Sequence, residues 1–330
     1  MNRRPLGLKL SKAISGFLQH KTAAALSPNS IKGYQYYLSL WLHQASDIDI
    51  GEVTTDDLRQ LFVWLRTEYK PSRFNGSTEP LSPKSLRNIW VTLSAFWTWA
   101  CREFELSNPM KNVPVPKFEF PPIDPFSKEQ VELLLKASEY CREASTERRK
   151  KFSMKRATAK RDRAIILTLL DTGLRASEIC ALTIGDLDAK SGRVNVKHGT
   201  AGAAKGGKGR VVYLGKSARS AVWRYLADRE DGENLQSSLF LGKFDHPMSN
   251  TSLRLLLRYI GTKAGVTKTY PHRFRHTFAI AYLRSGGDLF TLQALLGHKS
   301  LEMVQHYARI AEVDIAEAHR RASPADNWHL

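Results

Sequence analysis

Apolar positions in the first hundred residues recur at helical spacing, in blocks separated by polar breakers. Ile31, Tyr34, Tyr37, Leu38, Trp41 and Leu42 share one helical face. Leu58, Leu61, Phe62 and Leu65 share another, and Leu86, Ile89, Trp90, Leu93, Phe96 and Trp97 a third. Ser27-Pro28 and Ser82-Pro83 each join a capping hydroxyl to a proline at the first helical position, and Thr54 caps the block between them. With a further helix over residues 8–26, the pattern predicts a four-helix bundle. The polar stretch KPSRFNGSTEPLS precedes the last helix. At this spacing the aromatic residues are expected in a core rather than on a base-stacking platform.

Periodicity stops at residues 112–126, NVPVPKFEFPPIDPF, which reads as a semi-extended linker. The division expected is a helical domain over 1–115, a linker over 116–126 and a larger domain over 127–330. The larger domain opens with a capping box, Ser127 and Gln130, ahead of the helical run VELLLKASEY. The run ERRKKFSMKRATAKRDR (148–163 at its densest) offers two readings held evenly, phosphate contact or a solvated helix face or loop. A buried helix covers 164–171. Between 184 and 214 the spacing changes to β-branched clusters and alternation with Gly and Ser turns, which predicts a small antiparallel sheet. Its tip, GTAGAAKGGKG, is too rich in glycine to hold one conformation. Helices return over 218–228 and 250–264. The fold class expected is mainly α with a small antiparallel β-sheet in the second domain, an α+β chain in two parts.

The last helical stretch, residues 269–310, carries the chemistry. Phe274, Phe278, Tyr282 and Leu283 give it a core face, Gly286-Gly287 break it, and Asp288 caps a second apolar set of Leu289, Leu292, Leu295 and Leu296. His272 and Arg275 are three apart and project from one side of a helix. His276, His298, His306 and Tyr307 follow within the same stretch. Such a group suits an anionic substrate, with Tyr307 as a nucleophile.

Charge sharpens this. Lys and Arg number 50 against 32 acidic residues, a formal net charge of +18 with a pI near 9.9. A polyanionic partner is favoured, nucleic acid ahead of an anionic membrane. Cys101, Cys141 and Cys180 are scattered and odd in number, which fits reduced thiols in the cytosol. The first residues are basic without a continuous apolar run, so no secretory signal is expected, and no stretch reaches the ~20 apolar residues of a membrane span.

Four blocks carry a resemblance to the tyrosine recombinase (phage integrase) family. TGLRASEICAL (172–182) resembles its T-G-L-R-x-S-E-L box, and AKGGKGRVVYL (204–214) its K-G-x-K-x-R-x-V-P-L hairpin. HRFRH (272–276) resembles H-x-x-R-H, LGHKS (296–300) resembles the L-G-H box, and Tyr307 follows at the spacing of the family's nucleophile. The resemblance spans both domains and is specific over 172–310. It implies a two-domain DNA clamp that cuts one strand at a time through a 3′-phosphotyrosyl link, using neither metal nor ATP. It also implies four protomers on two recombination sites, with a C-terminal segment, here 311–321, docked on a neighbour. Integration, excision or resolution of DNA elements is the expected task, and a cytoplasmic, nucleoid-associated location follows.

The residue roles follow from phosphodiester chemistry read through that resemblance. Cleavage needs a nucleophile, cations on the non-bridging oxygens and an acid for the leaving alkoxide. Tyr307 is the expected nucleophile and Arg175 and Arg275 the clamp, with Glu178 orienting Arg175. His272 is the expected base or proton shuttle, and His298 a partner on the phosphate. Lys205 is the expected acid, with Lys208 competing for the role. Val-Tyr-Leu at 212–214 departs from the usual Val-Pro-Leu, which touches the strand rather than the chemistry. A type IB topoisomerase is the nearest alternative. A catalytically silent DNA-binding protein, or a metallohydrolase using His272 and His276, requires more to be explained away.

Overall fold

The structure, a computed structural model, describes residues 7–73, 77–119, 122–141, 144–146, 149–197, 209–298 and 300–311, with positions 319, 323 and 325 beyond them. The chain forms two compact units that meet in sequence at Pro121 and Pro122.

The first unit holds α1 (Leu10–Ala23), α2 (Pro28–Ala45), α3 (Thr55–Thr67) and α4 (Pro83–Phe104). Their starts are set by the expected caps. Ser27 and Ser82 each accept the backbone N–H three residues on, and Thr54 with Asp57 completes a capping box. Leu38, Trp41, Leu58, Leu61, Leu93, Phe96 and Trp97 are buried in one core. Phe96 meets Phe17 and Trp41 edge-on at 5.6 and 5.7 Å, so these rings are core, as their spacing predicts. The start of the proline-rich segment packs here too. Met110 and Val113 are buried, and Trp90 donates Nε1–H to the Val113 carbonyl at 3.1 Å.

The second unit takes up the other end of that segment. The Phe126 ring lies 4.7 Å from Phe274, its N–H donates to Thr277 Oγ1, and Arg273 binds Asp124 at 2.9 Å. The apolar residues between prolines therefore have partners, which composition alone does not reveal. Then come α5 (Lys128–Glu139), a strand pair β1 (Ala144–Thr146) and β2 (Arg149–Phe152), α6 (Ala159–Thr172) and α7 (Ala176–Ala181). Ser127 and Gln130 form the expected capping box. The basic run, held evenly between phosphate contact and a solvated helix face or loop, includes the four residues of β2 near its start and enters α6 with its last residues.

β3 (Arg193–Val196) and β4 (Arg210–Tyr213) form the expected antiparallel sheet, paired Arg193 to Tyr213 through Val196 to Arg210. Val194, Val196 and Val212 turn into the core. The tip between them, with Lys205 and Lys208, lies outside the described residues. α8 (Lys216–Leu226), α9 (Asn250–Ala264), α10 (Pro271–Arg284), α11 (Leu289–Leu296) and α12 (Glu302–Ala311) complete the unit. Of the expected docking segment 311–321, only Ala311 and position 319 are described. The architecture is mainly helical with small antiparallel strand pairs in the second unit. No helix among the described residues is long and apolar enough to cross a membrane.

Candidate active site

Two glycine-ended helices and one strand frame the site. α6 stops at Gly173, which adopts a left-handed φ of 61°, and a Cβ there would stand 2.5 Å from the Phe278 ring. The chain then turns so that Arg175 becomes the N-cap of α7. α11, started by the Asp288 cap, stops at Gly297 with a φ of 64°. The last carbonyls of both helices have no partner within their helix. Arginine side chains satisfy them.

Arg275, on α10, is fully buried. Its Nη1 donates to the Gly173 carbonyl at 2.9 Å and its Nη2 to the Leu296 carbonyl at 2.7 Å. Arg175 Nη1 reaches the same Leu296 carbonyl at 3.3 Å, and Nη2 the Gly297 carbonyl at 3.4 Å. Burial, then the charge of Arg175, lowers the Arg275 pKa to about 9.

Glu178 joins these arginines to the sheet. It accepts Arg175 N–H at 2.8 Å and Arg175 Nη1 at 2.9 Å, and binds Arg210 of β4 through both oxygens at 2.9 and 2.7 Å. Arg210 Nε donates to the Leu295 carbonyl at 2.7 Å. Burial alone would raise the Glu178 carboxyl, but Arg210 first and Arg175 second outweigh it and hold the pKa at about 2. Glu178 is therefore ionised in an otherwise cationic site. Arg210 sits within the AKGGKGRVVYL block, but sequence reasoning gave it no role. The signal was an arginine opening the second strand of the expected sheet.

The histidines divide the work. His298 Nε2 lies 2.7 Å from Arg275 Nη2. A guanidinium only donates, so Nε2 accepts and the imidazole proton rests on Nδ1. Burial, then Arg275 and Arg175, lowers the His298 pKa to about 4, so the ring is neutral near pH 7. His298 Nδ1 and Arg275 Nε are buried and have no hydrogen-bond partner among the described residues. Two such donors in one cationic site are matched by an anion with several acceptor oxygens.

Tyr307, on α12, is buried at 4 % exposure among Ile280, Leu283, Leu292, Leu296 and Val304. Its ring stacks on His298 at 6.2 Å and 12°. Its hydroxyl is hydrogen-bonded to His276 Nδ1 at 2.9 Å. Burial raises the phenol pKa, opposed by Arg275 and then Arg175. His272 is exposed, and its ring meets that of His276 edge-on at 4.4 Å. Arg175, Arg275, His298 and Tyr307 thus share one connected site, and His272 joins it beside His276. Lys205 and its competitor Lys208 lie outside the described residues. Like Arg210, His276 was left out of the site by sequence reasoning; its signal was its place one residue after Arg275 and one turn after His272.

The chain is similar to curated tyrosine recombinases along most of its length. It is 27 % identical over 315 residues to tyrosine recombinase XerC of Xanthomonas campestris pv. campestris, covering 94 % of this chain and 88 % of that one. It is 29 % identical over 290 residues to XerC of Listeria innocua serovar 6a, covering 86 % and 87 %. Tyrosine recombinase XerA of Pyrococcus furiosus is 36 % identical over 167 residues, 51 % of this chain and 56 % of that one. Among solved structures, the XerH site-specific recombinase bound to palindromic difH substrate in a post-cleavage complex matches the fold with a TM-score of 0.72 at 18 % identity, covering 99 % and 100 %. The Tn1549 transposon integrase in complex with transposon right end DNA matches with a TM-score of 0.72 at 20 % identity, covering 96 % and 100 %. Residues 125–313, more than half of the chain, match the phage integrase family, and the chain belongs to that family of tyrosine recombinases.

Proposed function

We propose that this recombinase cuts and rejoins duplex DNA at specific sites, with Tyr307 as the nucleophile. The observation that carries the proposal is the site itself: a buried phenol beside two guanidiniums and two unpartnered donors. In the step proposed, Tyr307 Oη bonds to the scissile phosphorus as the bond to the 5′-oxygen breaks. The 5′-oxygen leaves with a proton from Lys205, or from Lys208 in its place. Arg175 and Arg275 balance the charge that builds on the non-bridging oxygens, and His298 Nδ1–H adds a neutral donor to them. His272 is the proton shuttle of this scheme. The phosphoester energy is kept in the covalent link, so rejoining needs neither ATP nor a metal. The first unit, by its place in the chain, supplies further DNA grip. Four protomers on two sites, exchanging C-terminal segments, complete the proposal, in a nucleoid-associated cytoplasmic setting.

The test is a nicked suicide substrate built from the ends of the element that carries the gene, incubated in EDTA. A covalent protein–DNA adduct that disappears in Tyr307→Phe, with DNA binding retained, is the expected result. An adduct that persists in Tyr307→Phe refutes the nucleophile.

A further inference from the structure

We propose that His276 is a catalytic residue of the cleavage step: it accepts the Tyr307 hydroxyl at Nδ1 and takes its proton as the phenol attacks. This rests on the reading of Tyr307 as nucleophile. The geometry that carries it is the 2.9 Å contact between His276 Nδ1 and Tyr307 Oη, made across α10 and α12 in a half-buried position. A phenol whose oxygen must bond to phosphorus has to shed its proton to something in hydrogen-bond reach. His276 is in that reach, and a ring protonated on Nε2 presents Nδ1 as the acceptor. The exposed His272, edge-on at 4.4 Å, stands on the solvent side to carry the proton onward.

The charges around His276 explain why it is idle before DNA arrives. Burial first, then His272, Arg275 and His306, lowers its pKa to about 4. Tyr307 faces it from α12, and Arg175 and His298 stand behind Arg275 and the Tyr307 ring. A second ring proton is therefore disfavoured at rest, and the neutral ring with its one proton on Nε2 keeps Nδ1 open to the phenol. A phosphodiester seated on Arg275 and Arg175 brings a negative charge that offsets the arginine contribution and makes His276 more basic when a base is required. In the balanced step, the P–Oη bond forms and the P–O5′ bond breaks. The phenol proton moves to His276, and a separate acid protonates the 5′-oxygen.

The experiment uses the full chain on the nicked suicide substrate. His276→Asn keeps an acceptor oxygen near the Nδ1 position but cannot hold a proton. Cleavage is expected to fall by roughly 10²-fold or more at pH 7, with unchanged DNA binding and melting temperature. The lost rate should return as pH is raised above about 10, since burial lifts the phenol above its ordinary value before it ionises unaided. A substrate with sulfur in place of the bridging 5′-oxygen needs no acid for its leaving group, so it should not rescue His276→Asn. Cleavage within roughly threefold of wild type at pH 7, or rescue by the sulfur substrate, overturns the proposal. His276→Gln serves the same comparison if the asparagine variant does not fold. Failure of the wild-type chain to form an adduct would instead strike at Tyr307, so the two readings fail separately.

Discussion

At the scale of single residues, Glu178 decides the shape of the cation cluster. It is the shared partner of Arg175 and Arg210, and each arginine also holds a carbonyl at the end of α11. Glu178→Ala would leave Arg210, only 15 % exposed, without its carboxylate. Breaking such a pair costs about 3–5 kcal/mol when fully buried, and somewhat less here. A drop in chemical-denaturation midpoint together with loss of cleavage is expected, while unchanged stability would mean that the pair is already solvated. Arg275→Ala removes a group whose donors serve two helix ends and one imidazole, so cleavage should fall by roughly 10²-fold or more and the melting temperature should fall with it. Kinetic and calorimetric measurements on the same variant check both. These roles were only partly legible in the sequence. Arg175, Arg275 and Tyr307 stand in recognisable blocks, whereas His276 and Arg210 act through contacts 31 and 32 residues away in the chain.

At the scale of elements, the local signals were strong wherever a short motif sets a helix end. Ser27, Thr54, Ser82, Ser127 and Asp288 cap the helices that they were expected to start. The strand pair at 144–152 was not legible, because ARG-and-LYS-rich residues such as those of RKKF carry no alternation of apolar and polar positions. Tyr307 shows why composition misleads on burial. Val304, Tyr307 and Ala311 fall on one face of α12, so the proposed nucleophile is also a core residue. Gly173 is an exacting element boundary. Its φ of 61° and the 2.5 Å approach to Phe278 both oppose a side chain, and its carbonyl holds Arg275. Gly173→Ala is expected to destabilise the second unit by at least about 1–3 kcal/mol. It should also slow cleavage, because the helix end that seats Arg275 must move. A denaturation curve unchanged from wild type would show that the turn tolerates a side chain.

For the whole molecule, pH and salt separate the two kinds of electrostatics in this chain. His276 and His298 have pKa values near 4 when folded, against an ordinary 6.5. Between those values the unfolded chain binds more protons than the folded one. Stability should therefore be complete above about pH 6.5 and decline as pH falls toward 4. The combined variant His276→Asn, His298→Asn should lose that slope, which thermal melts across the window would reveal. Salt probes the surface instead. The +18 charge is spread along the sequence, including the basic run that forms β2 and opens α6. If these cations bind phosphates, each contact releases a condensed counterion, and six contacts give a slope of log K against log salt of roughly −5. Tyr307→Phe should bind with the same slope, since its hydroxyl carries no charge in the bound state. Replacing Lys150, Lys151 and Lys155 with glutamine tests the run directly. A slope shallower by roughly 2–3 places the run on the DNA backbone, whereas an unchanged slope makes it a solvated surface and leaves the grip to the rest of the basic surface.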